Sequence, residues 1–275
     1  MSVKGKLQGL VVGLCLAGSG ACSGLEIEGV WQQGATLVGR VAPQAQVSFA
    51  GRRLRTTEQG HFVVGLDRDA APEAVIRVHS QTGAVAEHRF AVKQRQYNIQ
   101  RIEGVPKKTV NPPSEALARI RREAALAREA RRQDLPRQDF LQGFIWPLQG
   151  PVTGVYGSQR YYNGEPRRPH YGVDVAAPTG TPVRAPAAGK VTLAYDDMFF
   201  SGGTLILDHG HGLSSTFIHL SKILVESGQE ISQGQAIAEV GATGRATGPH
   251  LDWRMNWFEF RVDPQLLVGD MPGPD

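Results

Sequence analysis

"GQEISQGQAIAEVGATGRATGPHLDWRMNW", residues 228–257, sets short apolar runs between glycines. Gly228, Gly234, Gly241, Gly244 and Gly248 recur every few residues, a spacing that favours tight turns between short strands over long helices. At the end of the stretch His250 and Asp252 stand two apart among apolar residues. Alternate side chains of an extended strand share a face, so these two point the same way. An imidazole and a carboxylate so placed are metal-ligand types.

The whole chain agrees with a β-rich reading. Its 275 residues include 33 Gly and 17 Pro against 7% aromatics, and 41% hydrophobic with 20% charged residues is ordinary for a globular protein. A net charge of +4 favours anionic polymers or membrane surfaces and is too weak to indicate nucleic acid. The first residues, "MSVKGKLQGLVVGLCLAGSGACSG", place Lys4 and Lys6 before an apolar run and then small residues. That is the layout of a signal peptide over residues 1–22, too short for a permanent span. Export to the periplasm or cell envelope is expected. Cys22 also resembles a bacterial lipoprotein acceptor, although Ser19 stands where that motif usually has Leu. Both cysteines, Cys15 and Cys22, lie in this segment, so no disulfide is expected in the mature chain.

Residues 25–102 read as short strands: "ATLVGRV", "AQVSFAG", "HFVVGL", "AVIRVHS" and "HRFAVKQ". Their spacing predicts a small antiparallel sandwich, similar to the immunoglobulin-like modules fused to exported proteins. Residues 103–143 form a Pro-flanked connector rich in Ala, Leu, Arg and Glu. A helix with Ser114 as N-cap is expected there, docked through a stripe of Leu117, Ile120 and Leu126. Residues 144–267 open a second β-rich domain at "FIWPLQGPVTGVYGSQR".

Upstream of the opening stretch, "RRPHYGVDVAAPTGTPVRAPAAGKV" puts His170 and Asp174 four apart, and "TLILDHGHGLSSTFIHLS" supplies His209, His211 and His219. The spacing of any one pair is weak. Jointly, "APxxGTPVxAPxxGKV", "DHG", "GQxIxxGQxIAxVGxTG" and the H-x-x-x-D step resemble the LytM/lysostaphin-type zinc metallopeptidases, over roughly Trp146 to Leu267. The last motif of that family is "TG…GPHLHxE".

The resemblance implies an antiparallel β-sheet core with a groove, one zinc ion, and cleavage of peptide cross-links in bacterial peptidoglycan, whose stem peptides would be the partner. By position, His170 and Asp174 match the first two zinc ligands and His219 the histidine that orients or deprotonates the attacking water. His250 matches the first His of the family's H-x-H pair, which helps stabilise the oxyanion. Asp252 stands where the third ligand is His. Carboxylate oxygen is an accepted zinc donor at about 2.0–2.2 Å. The added negative charge weakens the Lewis acid and makes a harder ion such as Mn²⁺ a better competitor. Two readings follow. Asp252 is either the third ligand of a working hydrolase or the mark of a site that has lost its metal, in a protein that binds the wall or activates other wall hydrolases. Arg245, in the Gly-rich loop before His250, could meet a substrate carboxylate. His209 is expected to be structural and His211 exposed, with "YNGEPRRPH" and "DDMFFSGG" lining the groove.

Overall fold

The computed structural model describes residues 24–103 and 113–273. Residues 1–22, where a signal peptide is expected, and with them Cys22, lie outside the described residues. The N-terminal strands are β1 (Glu26–Glu28), β2 (Thr36–Arg40), β3 (Gln46–Phe49), β4 (Arg52–Leu54), β5 (His61–Gly65), β6 (Glu73–His79) and β7 (Val85–Ala91). They form two antiparallel sheets, β1-β2-β5 and β4-β3-β6-β7, the expected sandwich. Alternation sets the faces: in β6, Ala74, Ile76 and Val78 are buried while Glu73 and Arg77 are exposed. On the wet face Arg77 pairs with Glu87 directly across the ladder at 2.7 Å, a contact worth a few tenths of a kcal/mol. The last of these strands begins at Val85, earlier than "HRFAVKQ" suggested, because it pairs with β6 over the full length of both.

Strand β8 (Ile99–Ile102) leaves the sandwich and joins a C-terminal hairpin. After it comes α1 (Ala116–Arg131). Its N-cap is Glu115, one residue after the expected Ser114, and the Glu115 side chain makes no cap bond. Leu117 and Leu126 stay exposed, so the expected apolar stripe is not the docking face. Glu123 and Ala130 are the buried positions instead. One Glu123 oxygen accepts the Phe199 N–H at 2.8 Å and the other accepts Arg119 Nε at 2.6 Å. A charge-assisted bond from a turn amide thus ties this helix to the C-terminal unit. Among the described residues no helix is long and apolar enough to cross a membrane.

The C-terminal strands are β9 (Val152–Gly154), β10 (Gln159–Tyr162), β11 (Glu165–Pro166), β12 (Val173–Ala176), β13 (Pro182–Arg184), β14 (Gly189–Met198), β15 (Gly202–Asp208), β16 (Leu213–Leu220), β17 (Lys222–Ile223), β18 (Glu230–Ile231), β19 (Ala236–Glu239), β20 (His250–Trp257) and β21 (Phe260–Val262). The main sheet runs β18-β14-β15-β16-β20-β12-β9, with β21 also on β20, and β13-β19-β17 form a small second sheet. Leu205, Leu207, Phe217, Trp253, Met255 and Trp257 are fully buried in its core.

The two units share that core. Gly65 of β5 lies so close to Trp257 that a Cβ there would stand 2.5 Å from the Trp257 Cβ. Arg95 reaches buried Asp263 at 2.8 Å. The end of the connector packs on the turn after β15, where the Phe140 N–H donates to His209 O at 3.2 Å and the His211 N–H to Leu135 O at 3.1 Å. His211 is therefore buried, not exposed as its Gly-flanked turn implied, because a segment distant in sequence covers it.

Candidate metal centre

Antiparallel pairing of β12 with β20 sets Asp174 directly opposite Asp252. His170 arrives on the segment just before β12. One donor atom from each of His170, Asp174 and Asp252 lies within 4.8 Å of the others, and all three residues are buried. Glycines make the room. A Cβ at Gly154 would sit 2.2 Å from Asp174 Oδ2, and one at Gly172 would sit 2.4 Å from Asp252 Oδ1 and 2.7 Å from Trp253 O.

The donor atoms differ in how they are engaged. Asp174 Oδ2 accepts Arg160 Nη2 at 2.9 Å, while Oδ1 has no hydrogen-bond partner and stands 3.1 Å from His170 Nε2. Both ring nitrogens of His170 also lack a hydrogen bond among the described residues. Buried polar atoms left in this state are costly unless something binds them. A divalent cation suits one bare carboxylate oxygen beside one bare imidazole nitrogen. Asp252 is different, since Arg254 donates to Oδ1 through Nε at 2.9 Å and to Oδ2 through Nη2 at 2.5 Å. Its carboxylate has lone pairs left for a metal, but both oxygens already face a cation.

Electrostatics follow the same lines. Burial raises the Asp252 carboxyl, but the Arg254 charge and hydrogen bond, with His170, hold it well below its ordinary value. For Asp174, burial and the charge of Asp252 act upward, and His170 and Arg160 outweigh them. Both carboxylates are thus ionised at neutral pH.

Beside the donors lie two histidines, rings 4.9 Å apart. His219, at the end of β16, has a left-handed backbone at φ 67°, uncommon for a residue with a side chain. Its Nδ1–H donates to Thr243 O at 2.8 Å. A carbonyl can only accept, so Nε2 is the unprotonated nitrogen. His250 is fixed the same way by Gly248 O at 2.8 Å, and its Nε2 stands 3.9 Å from Asp174 Oδ1. Burial lowers His219 to about 4, so it is neutral at pH 7 and able to accept a proton. In this tautomer His250 has no Nε2 proton to give; donation to an oxyanion needs the doubly protonated ring.

Arg245 lies over Phe200 at 4.8 Å and over Tyr162 at 5.3 Å, so the two loops expected to line a groove meet at this side chain. His209 is fully buried, its Nδ1–H on Ala188 O at 2.7 Å, in the expected structural role.

The alternation that picks out His250 and Asp252 continues to Arg254, whose role strand spacing alone does not reveal. Arg254 also stands where the family pattern carries Glu, so the departure at 252 is one of two, and the two residues touch. Arg160 was invisible from spacing, being 14 residues from its partner.

Residues 168–264 match the model for peptidase family M23. Over 88% of this chain and 96% of the other, the fold superposes on the crystal structure of a candidate M23 peptidase from Pseudomonas aeruginosa, with TM-score 0.70 and 34% identity. The chain belongs to peptidase family M23. This accords with the LytM-type resemblance, which implies a zinc ion. Two Vibrio cholerae serotype O1 relatives are named peptidoglycan DD-endopeptidases. ShyB is 42% identical over 139 residues, covering 50% of this chain and 29% of that protein. ShyA is 40% identical over 102 residues, covering 34% and 24%. The chain thus spans less than a third of the length of these M23 relatives.

Proposed function

We propose that this chain is a metal-dependent endopeptidase that cleaves peptide cross-links of bacterial peptidoglycan. The observation that carries the reading is the convergence of His170, Asp174 and Asp252 beside two histidines whose Nε2 atoms are bare. These three residues would hold the ion, Zn²⁺ by donor type, with Mn²⁺ a competitor because two of the three are carboxylates. When bound, the ion supplies positive charge that polarises a peptide carbonyl and makes water more acidic.

The chain's own residues do the rest. His219 Nε2 accepts a proton from the attacking water, its ring held by the Thr243 carbonyl. His250, once doubly protonated, donates to the oxygen that gains charge. Arg160 steadies Asp174 from the side opposite its bare oxygen. Arg245, held over Phe200 and Tyr162, binds a carboxylate of the stem peptide. The substrate puts the work in the cell envelope. The basic, apolar and small-residue layout of residues 1–22 supports export, and Cys22 offers an acceptor for a lipid anchor. The relatives named as DD-endopeptidases support the substrate. We propose the sandwich, connector and peptidase boundaries at 25–102, 103–143 and 144–267, with β8, the last strand of the first segment, pairing with β10 of the third.

A second reading, a non-catalytic wall-binding protein or activator of other wall hydrolases, draws on the Arg254–Asp252 pair. One experiment separates them: metal content of the purified full chain together with release of muropeptides from purified sacculi. About one ion per chain and release that a chelator abolishes is the expected result. No stoichiometric metal after adding Zn²⁺ or Mn²⁺, with no release, would leave the second reading standing.

A further inference from the structure

The four charges nearest the donors already cancel. Asp174 is matched by Arg160 at 2.9 Å and Asp252 by Arg254 at 2.5 Å. Ionised buried carboxylates this close to each other repel strongly unless cations stand between or beside them. In a metal site the divalent ion does that work. Here two guanidiniums do it.

The two arginines are not equivalent. Arg160 takes only the outer oxygen of Asp174 and leaves Oδ1 bare, so it orients that ligand without competing for it. Arg254 takes both oxygens of Asp252. Two parallel N–H···O bonds are the strongest form of this contact. The pair is also built in: a Cβ at Gly172 would collide with Asp252 Oδ1 at 2.4 Å and with Arg254 Cγ at 2.7 Å, so only glycine fits beside it. Asp252 is almost wholly buried, while the Arg254 side chain keeps 26% exposure.

Resting on the reading of His170, Asp174 and Asp252 as a metal site, we propose that Arg254 is a displaceable internal cation. It neutralises Asp252 when no ion is bound, and it competes with a divalent ion for the same two oxygens. The consequence is a site that stays folded without metal and binds it more weakly than its three donors would alone.

Arg254→Met tests this, since it keeps the aliphatic stem and removes the charge. Zn²⁺ affinity is read by competition with a chromogenic chelator, and thermal midpoint is read in chelator and in excess Zn²⁺. Expected are at least tenfold tighter Zn²⁺ binding than the parent, a lower midpoint in chelator, and a larger rise when Zn²⁺ is added. Should the Met variant fold only with Zn²⁺ present, that is the same result in stronger form. Arg254→Lys keeps the charge but not the two-point grip, and is expected to bind Zn²⁺ between parent and Met variant. Equal or weaker Zn²⁺ binding by a folded Arg254→Met would overturn the proposal and make Arg254 a residue that orients a ligand. Absence of Zn²⁺ binding by the parent and both variants would instead remove the metal reading of the site, and the inference with it.

Discussion

Asp208→Asn, at the end of β15, should stabilise the protein, and by more at pH 8 than at pH 5. Asp208 is completely buried. Its Oδ1 accepts the Gly210 N–H at 2.9 Å, and its Oδ2 has no hydrogen-bond partner among the described residues. Burial raises the carboxyl from 3.8 to about 7. A group whose folded-state pKa is raised favours the native state below its unfolded pKa, and that advantage is lost as pH climbs through the folded value. The window therefore runs from about pH 4 to about pH 7. A shift of roughly three units at about 1.4 kcal/mol each sets a ceiling of about 4 kcal/mol, of which about 2–3 kcal/mol falls between pH 5 and pH 8. Asn keeps the acceptor for Gly210 and never ionises, so the variant's advantage should grow by that amount across the range. His209, His211 and His219, each lowered to about 4 by burial, titrate in the opposite sense but are common to both proteins. Urea unfolding of parent and variant at pH 5, 6, 7 and 8 measures the difference directly. A stability gap that stays constant with pH would refute the argument, because it would mean Asp208 is ionised in the folded protein throughout that range, as it is in the unfolded chain.

Three further outcomes follow from contacts described above. His219→Ala removes the proton acceptor but no metal donor, so metal content should hold while muropeptide release falls about 10²–10⁴-fold; a parent-like rate would assign the base elsewhere. Gly172→Ala places a methyl 2.7 Å from the Trp253 carbonyl, a backbone atom that cannot swing away. Thermal unfolding should show a loss of about 1–3 kcal/mol with lower Zn²⁺ uptake, and parent-like values for both would show that the strand yields easily. Arg95→Met leaves Asp263, 2% exposed, without its cation at the seam of the two units. Denaturant unfolding should register a cost of about 3–5 kcal/mol, and a change under 1 kcal/mol would mean that water replaces the guanidinium.

Much of this architecture could be read from period and punctuation. The two-residue alternation of "HLDW" put His250 and Asp252 on one face, and the pairing of β12 with β20 brought Asp174 opposite. What spacing could not convey is which polar groups neutralise one another. Arg254 lay on the same alternation, yet an arginine in a strand reads as a solvent-facing residue until its partner is known. Arg160 meets Asp174 only through the β10 hairpin, and Glu123 became buried only because the Phe199 amide needed an acceptor. His211 looked open for a similar reason: its cover, Leu135 to Phe140, comes from over 70 residues earlier in the chain. Short-range patterns report local faces, whereas these contacts are set by tertiary closure.

Strand β8 lies parallel to β10 with Gln159 level with Ile99 and Tyr162 level with Ile102, and Gln100 there accepts a hydrogen bond from Arg160 Nε at 3.0 Å. A fragment begun at residue 144, where composition changes, would therefore not be a smaller copy of the peptidase. It would carry an unpaired strand edge along β10, a template for pairing with other chains, and an Arg160 gripping Asp174 from one end only. Solubility and substrate turnover of such a fragment would then report the damage of the cut. A recombinant chain is better begun ahead of the sandwich, at residue 24.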